Sequence, residues 1–188
     1  MSMAAITHSW TVERVRALED DGRRHEVLDG ELLVTPSPTG RHQRIVFELA
    51  RWIAAYVDRE QLGELRLGPH AVWPEPGSDQ YVEPDLFVVP AVDGKRPPAD
   101  APVTRLLLAV EVLSPGSARH DRITKRALYQ RGGVPEYWVV DGETEAFEIW
   151  RQGDDRAALV DARLVWRPMG AAEPFELEVR RFFDSVRD

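Results

Sequence analysis

The chain has 188 residues, 43% of them hydrophobic and 30% charged, with a formal net charge of -8. That composition fits one well-filled globular domain over residues 1–188 and makes disorder a poor reading of the whole. The acidic balance argues against a protein that coats nucleic acid nonspecifically, yet it leaves room for a nuclease with a local basic cleft. No apolar stretch reaches membrane-spanning length, and Met1 to Trp10 lack the basic and apolar regions of a signal peptide. A cytoplasmic protein without a membrane partner is expected. There is no cysteine, so any metal must be held by oxygen ligands or by the five histidines. Oxygen ligands point to magnesium, manganese or calcium.

In chain order, the pattern predicts a short amphipathic helix over Trp10 to Glu19. His25 to Leu28 and Glu31 to Thr35 read as a hairpin around Asp29-Gly30, a pair that supplies the positive φ angles of a tight turn. Ser37 and Pro38 suit an N-cap and first helical position. Ile45, Leu49, Trp52, Ile53 and Tyr56 then recur at helical spacing, which predicts a helix over Thr39 to Asp58. Strands follow at Leu65 to Trp73 and Tyr81 to Val89, with a Pro-, Asp- and Gly-rich loop over Ala91 to Pro102. Leu106 to Leu113 is almost continuously apolar, as in a central strand covered on both faces. A helix over Ala118 to Arg131 stops at Gly132-Gly133. Glu136 to Val140 and Ala146 to Arg151 form a strand pair, and further short strands lead to a closing turn near Phe182-Phe183. The order is mixed α/β around one sheet, with Tyr129, Tyr137 and Trp138 in the core.

Three acidic residues sit where a purely structural pattern rarely places them. Glu111 interrupts the apolar run and, by strand alternation, shares a face with Leu107, Ala109 and Leu113. Burying that carboxylate unpaired costs several kcal/mol, so a basic partner or a metal ion must compensate. Asp85 poses the same problem within its strand, and Pro84 before it removes a ladder donor and marks an irregular point. Glu31, opening the second hairpin strand, offers a third carboxylate. Magnesium fits such a set, because it takes one or two carboxylates and completes its octahedron with water and substrate phosphate. It lowers the pKa of bound water and neutralises charge at phosphorus. Of the 24 basic residues only Lys95 and Lys125 are lysines, which sets Lys125 apart on the helix after the Glu111 strand. The plainer readings are a buried ion pair at Glu111 and, for Lys125, a helical salt bridge with Asp121 of about 0.3 kcal/mol.

Six segments carry a resemblance. They are Leu28-Asp29-Gly30-Glu31, Pro36-Ser37-Pro38 with Arg41-His42-Gln43, Glu83-Pro84-Asp85, Val110-Glu111-Val112-Leu113-Ser114-Pro115, Lys125-Arg126-Ala127-Leu128-Tyr129 and Gly133-Val134-Pro135-Glu136-Tyr137-Trp138. Taken in order, over about Trp10 to Arg151, the chain resembles the Uma2 family of restriction endonucleases. That family is a bacterial branch of the PD-(D/E)XK restriction-endonuclease-like superfamily. The resemblance implies a restriction-endonuclease-like fold, a mixed central sheet flanked by helices, and a magnesium-dependent phosphodiesterase site. Asp85 matches the motif aspartate and Glu111 the second acidic residue, the two metal ligands. Glu31 matches an acidic position that other superfamily members often use as an extra metal ligand. The superfamily pattern wants lysine two residues after the glutamate, where this chain has Leu113; the lysine moved onto the following helix is Lys125.

The function expected is a magnesium-dependent endonuclease acting on DNA, with manganese able to substitute. Asp85 and Glu111 hold the metal, Glu31 assists and Lys125 stabilises the transition state. His42, near a helix start, and Arg41, Arg119 and Arg122 are candidates for the substrate-binding rim. Two alternatives stand beside it: an inactive nuclease-fold module that binds nucleic acid or a protein, and a phosphodiesterase directed at RNA or nucleotides. A homodimer is compatible with cutting both strands.

Overall fold

The computed structural model describes residues 9–19, 21–68 and 79–187. Helix α1 (Val12–Arg16) is capped by the Thr11 hydroxyl and covers only the middle of the helix predicted there. The hairpin forms as predicted, β1 (Arg24–Leu28) against β2 (Glu31–Thr35), with Asp29 and Gly30 at φ of 50° and 82°. Helix α2 spans Gly40–Arg59, and Thr39, not Ser37, caps it by accepting from the His42 N–H. Ser37 lies ahead of the helix and donates to the Gly22 carbonyl. Ile45, Leu49, Ile53 and Tyr56 are buried along one side of α2, while Trp52, expected on that stripe, is 39% exposed at its edge.

Strand β3 covers Gly63–Leu67; the remainder of the strand predicted to reach Trp73 falls, past Gly68, outside the described residues. Strands β4 (Leu86–Pro90) and β5 (Leu108–Val112) are shorter than the runs that announced them. Strand β4 starts at Leu86, although the Gly68 N–H still donates to the Asp85 carbonyl at 3.1 Å, and Tyr81 makes an isolated bridge to Val27 of the hairpin. The helix predicted over Ala118 to Arg131 is broken into α3 (Ala118–His120), a wide π-turn (Asp121–Lys125) and α4 (Arg126–Arg131). In the π-turn the Arg126 N–H reaches back to the Asp121 carbonyl, which also accepts from the Tyr137 hydroxyl at 3.1 Å. Strands β6 (Glu136–Asp141) and β7 (Ala146–Arg151) come next, then β8 (Ala158–Val160), β9 (Arg163–Trp166) and β10 (Phe175–Glu178). The chain closes not on a turn but on helix α5 (Val179–Val186). Val179, Phe182, Phe183 and Val186 are all buried, and their spacing of three, four and seven is that of one helical face.

The central sheet has the order β3-β4-β5-β6-β7-β8, antiparallel throughout except for the parallel pair β5-β6, which the broken helix crosses over. It is the mixed sheet flanked by helices that the sequence implied. Among the described residues, no helix is long and apolar enough to cross a membrane. Alternation divides the sheet between two apolar layers. Leu86, Val88, Leu108, Val110, Val112, Trp138 and Val140 pack under α2, α5 and the β9-β10 ribbon. Phe87, Val89, Ala109, Tyr137 and Val139 face α4 and the hairpin, with Leu128 and Tyr129. Glu111 alternates onto that second face, with Ala109 and Leu113 as predicted, whereas Leu107, outside the strand, packs against the first layer.

Because α5 seals one edge of the larger layer, Phe183→Ala is expected to cost about 3–5 kcal/mol in urea unfolding. Arg180→Ala, on the exposed side of the same helix, should stay within about 0.5 kcal/mol.

Candidate active site

Sheet register assembles the first two carboxylates. Leu86 is paired with Val110, so one step beyond the end of β4 Asp85 comes alongside Glu111. The Val112 N–H, facing the point where pairing has stopped, donates to Asp85 Oδ2 at 2.9 Å. His42 Nε2, from the first turn of α2, lies 3.1 Å from the same oxygen. Asp85 Oδ1 accepts from Arg24 Nη2 at 2.6 Å. Burial pushes the Asp85 carboxyl upward, but the His42 hydrogen bond and the Arg24 guanidinium prevail and hold it well below the usual carboxylate range.

Glu111 is served from the other side. Its Oε1 accepts from Lys125 Nζ at 2.9 Å and from the Tyr129 hydroxyl at 3.4 Å. Its Oε2 lies 3.9 Å from Arg24 Nη1. Lys125 also meets Glu26 Oε1 at 2.9 Å and Asp121 Oδ1 at 3.5 Å, so the helical salt bridge is only its third and longest contact. Glu26, Asp85, Glu111, Asp121 and Lys125 are each at most 4% exposed. Four carboxylates therefore face two permanent cations, Lys125 and Arg24. Burial drives the Glu111 carboxyl well above its ordinary range; Lys125 opposes this, while Asp121, Asp85 and Glu26 reinforce it. Burial alone would lower Lys125, but the three carboxylates around it push it well above its usual value. Such a cluster is driven to take up either a proton or a further cation.

Arg24, His42, Asp85, Glu111 and Lys125 line a cavity of about 250 Å³, together with Ser37, Ser114 and the Pro115-Gly116-Ser117 loop. An adjoining cavity of about 370 Å³ shares His42 and is edged by Arg41 and Arg122. A larger hollow of about 650 Å³ lies between α2 and the β10-α5 corner, but its charged residues are solvent-accessible and no buried carboxylate opens into it.

Of the residues singled out from sequence, the structure brings together Asp85, Glu111, Lys125 and His42. Arg41 and Arg122 flank them, and neither guanidinium is idle. Arg41 donates to the Gly142 carbonyl at 2.6 Å, and Arg122 binds Glu148 and Asp141 at 2.6 and 3.1 Å. Arg119 is exposed and lines neither cavity. Glu31 is not with the cluster. It shares a hairpin face with Glu26, since the register pairs Leu28 with Glu31 and Glu26 with Leu33, but it stands out at the solvent-exposed turn. Glu26 takes the buried place, one oxygen on Lys125 and on the Glu83 N–H at 2.8 Å, the other without a hydrogen-bond partner among the described residues. Sequence reasoning missed Glu26 and Arg24. The signal for Glu26 was there: it is two residues from the buried Leu28, on the same strand face.

The family profile described as "Putative restriction endonuclease" (Uma2) matches residues 12–180, nearly the whole chain. This chain belongs to the Uma2 family. It is similar to the uncharacterized protein sll1609 of Synechocystis sp., 25% identical over 162 residues, which are 85% of this chain and 90% of that protein. In structure it is similar to a putative nuclease belonging to DUF820 from Anabaena variabilis, with a TM-score of 0.77 and 19% sequence identity. That match covers 95% of this chain and 99% of the Anabaena chain, and it establishes the common fold. All of the clustered residues of this Uma2 protein lie inside the span matched by the family.

Removing the ammonium strands three buried carboxylates. Lys125→Met is expected to destabilise the protein by about 3–5 kcal/mol at neutral pH. The deficit should shrink in urea titrations at pH 5, where the stranded carboxyls take up protons. A second outcome concerns the Arg122 contact. Partial burial raises Asp141, but the Thr144 and Glu143 N–H groups and the Arg122 guanidinium hold its carboxyl below its ordinary value. A depressed carboxyl contributes stability above its unfolded pKa and loses it as pH falls through the folded one. Asp141→Asn should therefore be less stable than the parent at pH 7, with the two melting curves converging below about pH 4.

Proposed function

We propose that this Uma2 protein is a magnesium-dependent endonuclease that hydrolyses phosphodiester bonds of DNA, Asp85 and Glu111 holding the ion and manganese substituting for it. The observation that carries the reading is the division of labour within each carboxylate. Asp85 Oδ2 is fixed by the Val112 N–H and His42, and Glu111 Oε1 by Lys125 and Tyr129. The second oxygen of each, Asp85 Oδ1 and Glu111 Oε2, is turned toward Arg24 at the cavity.

The donor set fits a hard divalent ion. Among the described residues no three His, Asp or Glu side chains form a ready-made cage. Magnesium does not need one, because two carboxylates with water and substrate phosphate complete its coordination. The excess of carboxylates over cations gives the ion an electrostatic reason to enter. When bound, it supplies an acidified water and neutralises charge on the phosphate oxygens.

The protein's own residues do the rest. His42 and the Arg24 guanidinium keep Asp85 ionised, and the Val112 N–H aims it. Lys125 holds Glu111 in place and lends the cavity wall positive charge beside the phosphate, offsetting charge that builds up in the transition state. Glu26 positions Lys125; Glu31, expected to assist as a third carboxylate, stands at the exposed turn. Arg41 and Arg122 edge the neighbouring cavity, where a strand leaving the reacting phosphate would run.

One observation favours the second reading, a nucleic-acid-binding module without turnover: all three Lys125 donors face carboxylates. Cleavage assays decide between them. With magnesium or manganese the parent should nick plasmid DNA, and Asp85→Ala and Glu111→Ala should fall by about a hundredfold or more. Both variants should also lose manganese binding in calorimetry. DNA binding with no cleavage under any divalent ion would establish the inactive module. Cleavage of RNA in preference to DNA would redirect the substrate with the same site.

A further inference from the structure

Arg24 is the first residue of β1, paired with Thr35, and its side chain turns inward past the hairpin edge, 21% exposed. Its Nη1 donates to the Glu83 carbonyl at 3.1 Å, which anchors one prong of the fork. Nη2 sits 2.6 Å from Asp85 Oδ1, and Nη1 is 3.9 Å from Glu111 Oε2. These are the two carboxylate oxygens left over after Val112, His42, Lys125 and Tyr129 have taken the other two. The guanidinium thus lies against the two carboxylate oxygens that would be available to hold a cation. It cannot leave by losing its proton, because arginine stays charged at any working pH. It can only be displaced.

We propose that Arg24 is a resident counter-cation that closes the Asp85–Glu111 site, and that a divalent ion and this guanidinium compete for the same two oxygens. The inference rests on the metal reading given above. The metal-free protein covers the two remaining carboxylate oxygens with its own charge, at the cost of weaker metal affinity. A phosphate in the adjoining cavity gives the displaced guanidinium another anion, since its planar fork suits phosphate as well as carboxylate. Substrate and metal binding are then coupled: DNA releases Arg24 from the carboxylates and raises the affinity for metal.

The test is manganese calorimetry on the parent, Arg24→Gln, Arg24→Lys and the double variant Arg24→Gln/Asp85→Ala, with thermal melts in EDTA and in manganese. Without DNA, Arg24→Gln should bind manganese about tenfold or more tightly than the parent, and the double variant should lose that binding. Arg24→Lys keeps a charge but loses the fork, so its affinity should fall between the two. In EDTA, Arg24→Gln should melt below the parent, and manganese should raise its melting temperature by more than it raises the parent's. If the Arg24 variants bind manganese no better than the parent while Asp85→Ala abolishes parent binding, the competition is refuted and the metal site stands. If neither the parent nor any Arg24 variant binds manganese, with or without DNA duplex, the metal reading itself falls and the competition with it. Should the glutamine variant fail to fold, the lysine variant decides alone: affinity above the parent's supports competition, and affinity at or below it overturns it.

Discussion

A single ammonium group at the centre of the protein makes the rest of the site sustainable. Lys125 Nζ lies within 2.9 Å of both Glu26 and Glu111 and 3.5 Å from Asp121, all of them out of water. Each of those carboxylates buried alone costs several kcal/mol. Gathered around one cation, they form a cluster that tolerates burial but stays short of positive charge. Three segments, the hairpin, β5 and the π-turn, are tied together through that one atom. The broken helix has a place in this. Its wide turn carries both Asp121 and Lys125, and the Tyr137 hydroxyl of β6 pins the turn's carbonyl.

The charge deficit and the sheet geometry act together. The pairing of β4 with β5 stops at Leu86 and Val110, and the Val112 N–H, facing the segment beyond, donates to Asp85. Each acidic group is then held by one oxygen and presents the other. In the described protein the presented pair meets Arg24, a cation supplied by the chain. On the proposed reading the same pair meets a metal during turnover. The site is acidic at its centre, and Arg24, Arg41 and Arg122 stand along the two adjoining cavities, with Asp141 and Glu143 beside the last two. On the proposed reading it is the local field at the cleft, and not the net charge of -8, that a polyanionic substrate meets.

Much of this was legible from residue order. The Asp29-Gly30 turn, the apolar stripe of α2 and the apolar run of β5 each follow from local rules, since backbone preferences and period-3.6 or period-2 burial act over a few residues. Glu111 stood out because a carboxylate inside an apolar strand contradicts its surroundings. Where the local signal was divided, the reading failed. Phe182 and Phe183 looked like a closing turn, although with Val179 and Val186 they mark a helical face. The π-turn leaves no mark in composition that distinguishes it from ordinary helix. Glu31 drew attention because it opens the second hairpin strand and matches an acidic position of the resemblance, but the face it shares with Glu26 is buried at one end and exposed at the other.

The sequence by itself determined the family, the order of the elements, and the chemistry available: oxygen ligands, no thiolates, one distinctive lysine. Those properties depend on residue type and short-range spacing, which the linear chain carries in full. Only the tertiary structure decided which charges meet. Whether Lys125 pairs with Asp121 alone or with Glu26 and Glu111 as well, and whether Asp85 faces water or Arg24, depends on the packing of segments up to about a hundred residues apart. Coulomb energy falls with distance and rises as water is excluded. Both quantities exist only once the sheet has closed over the site.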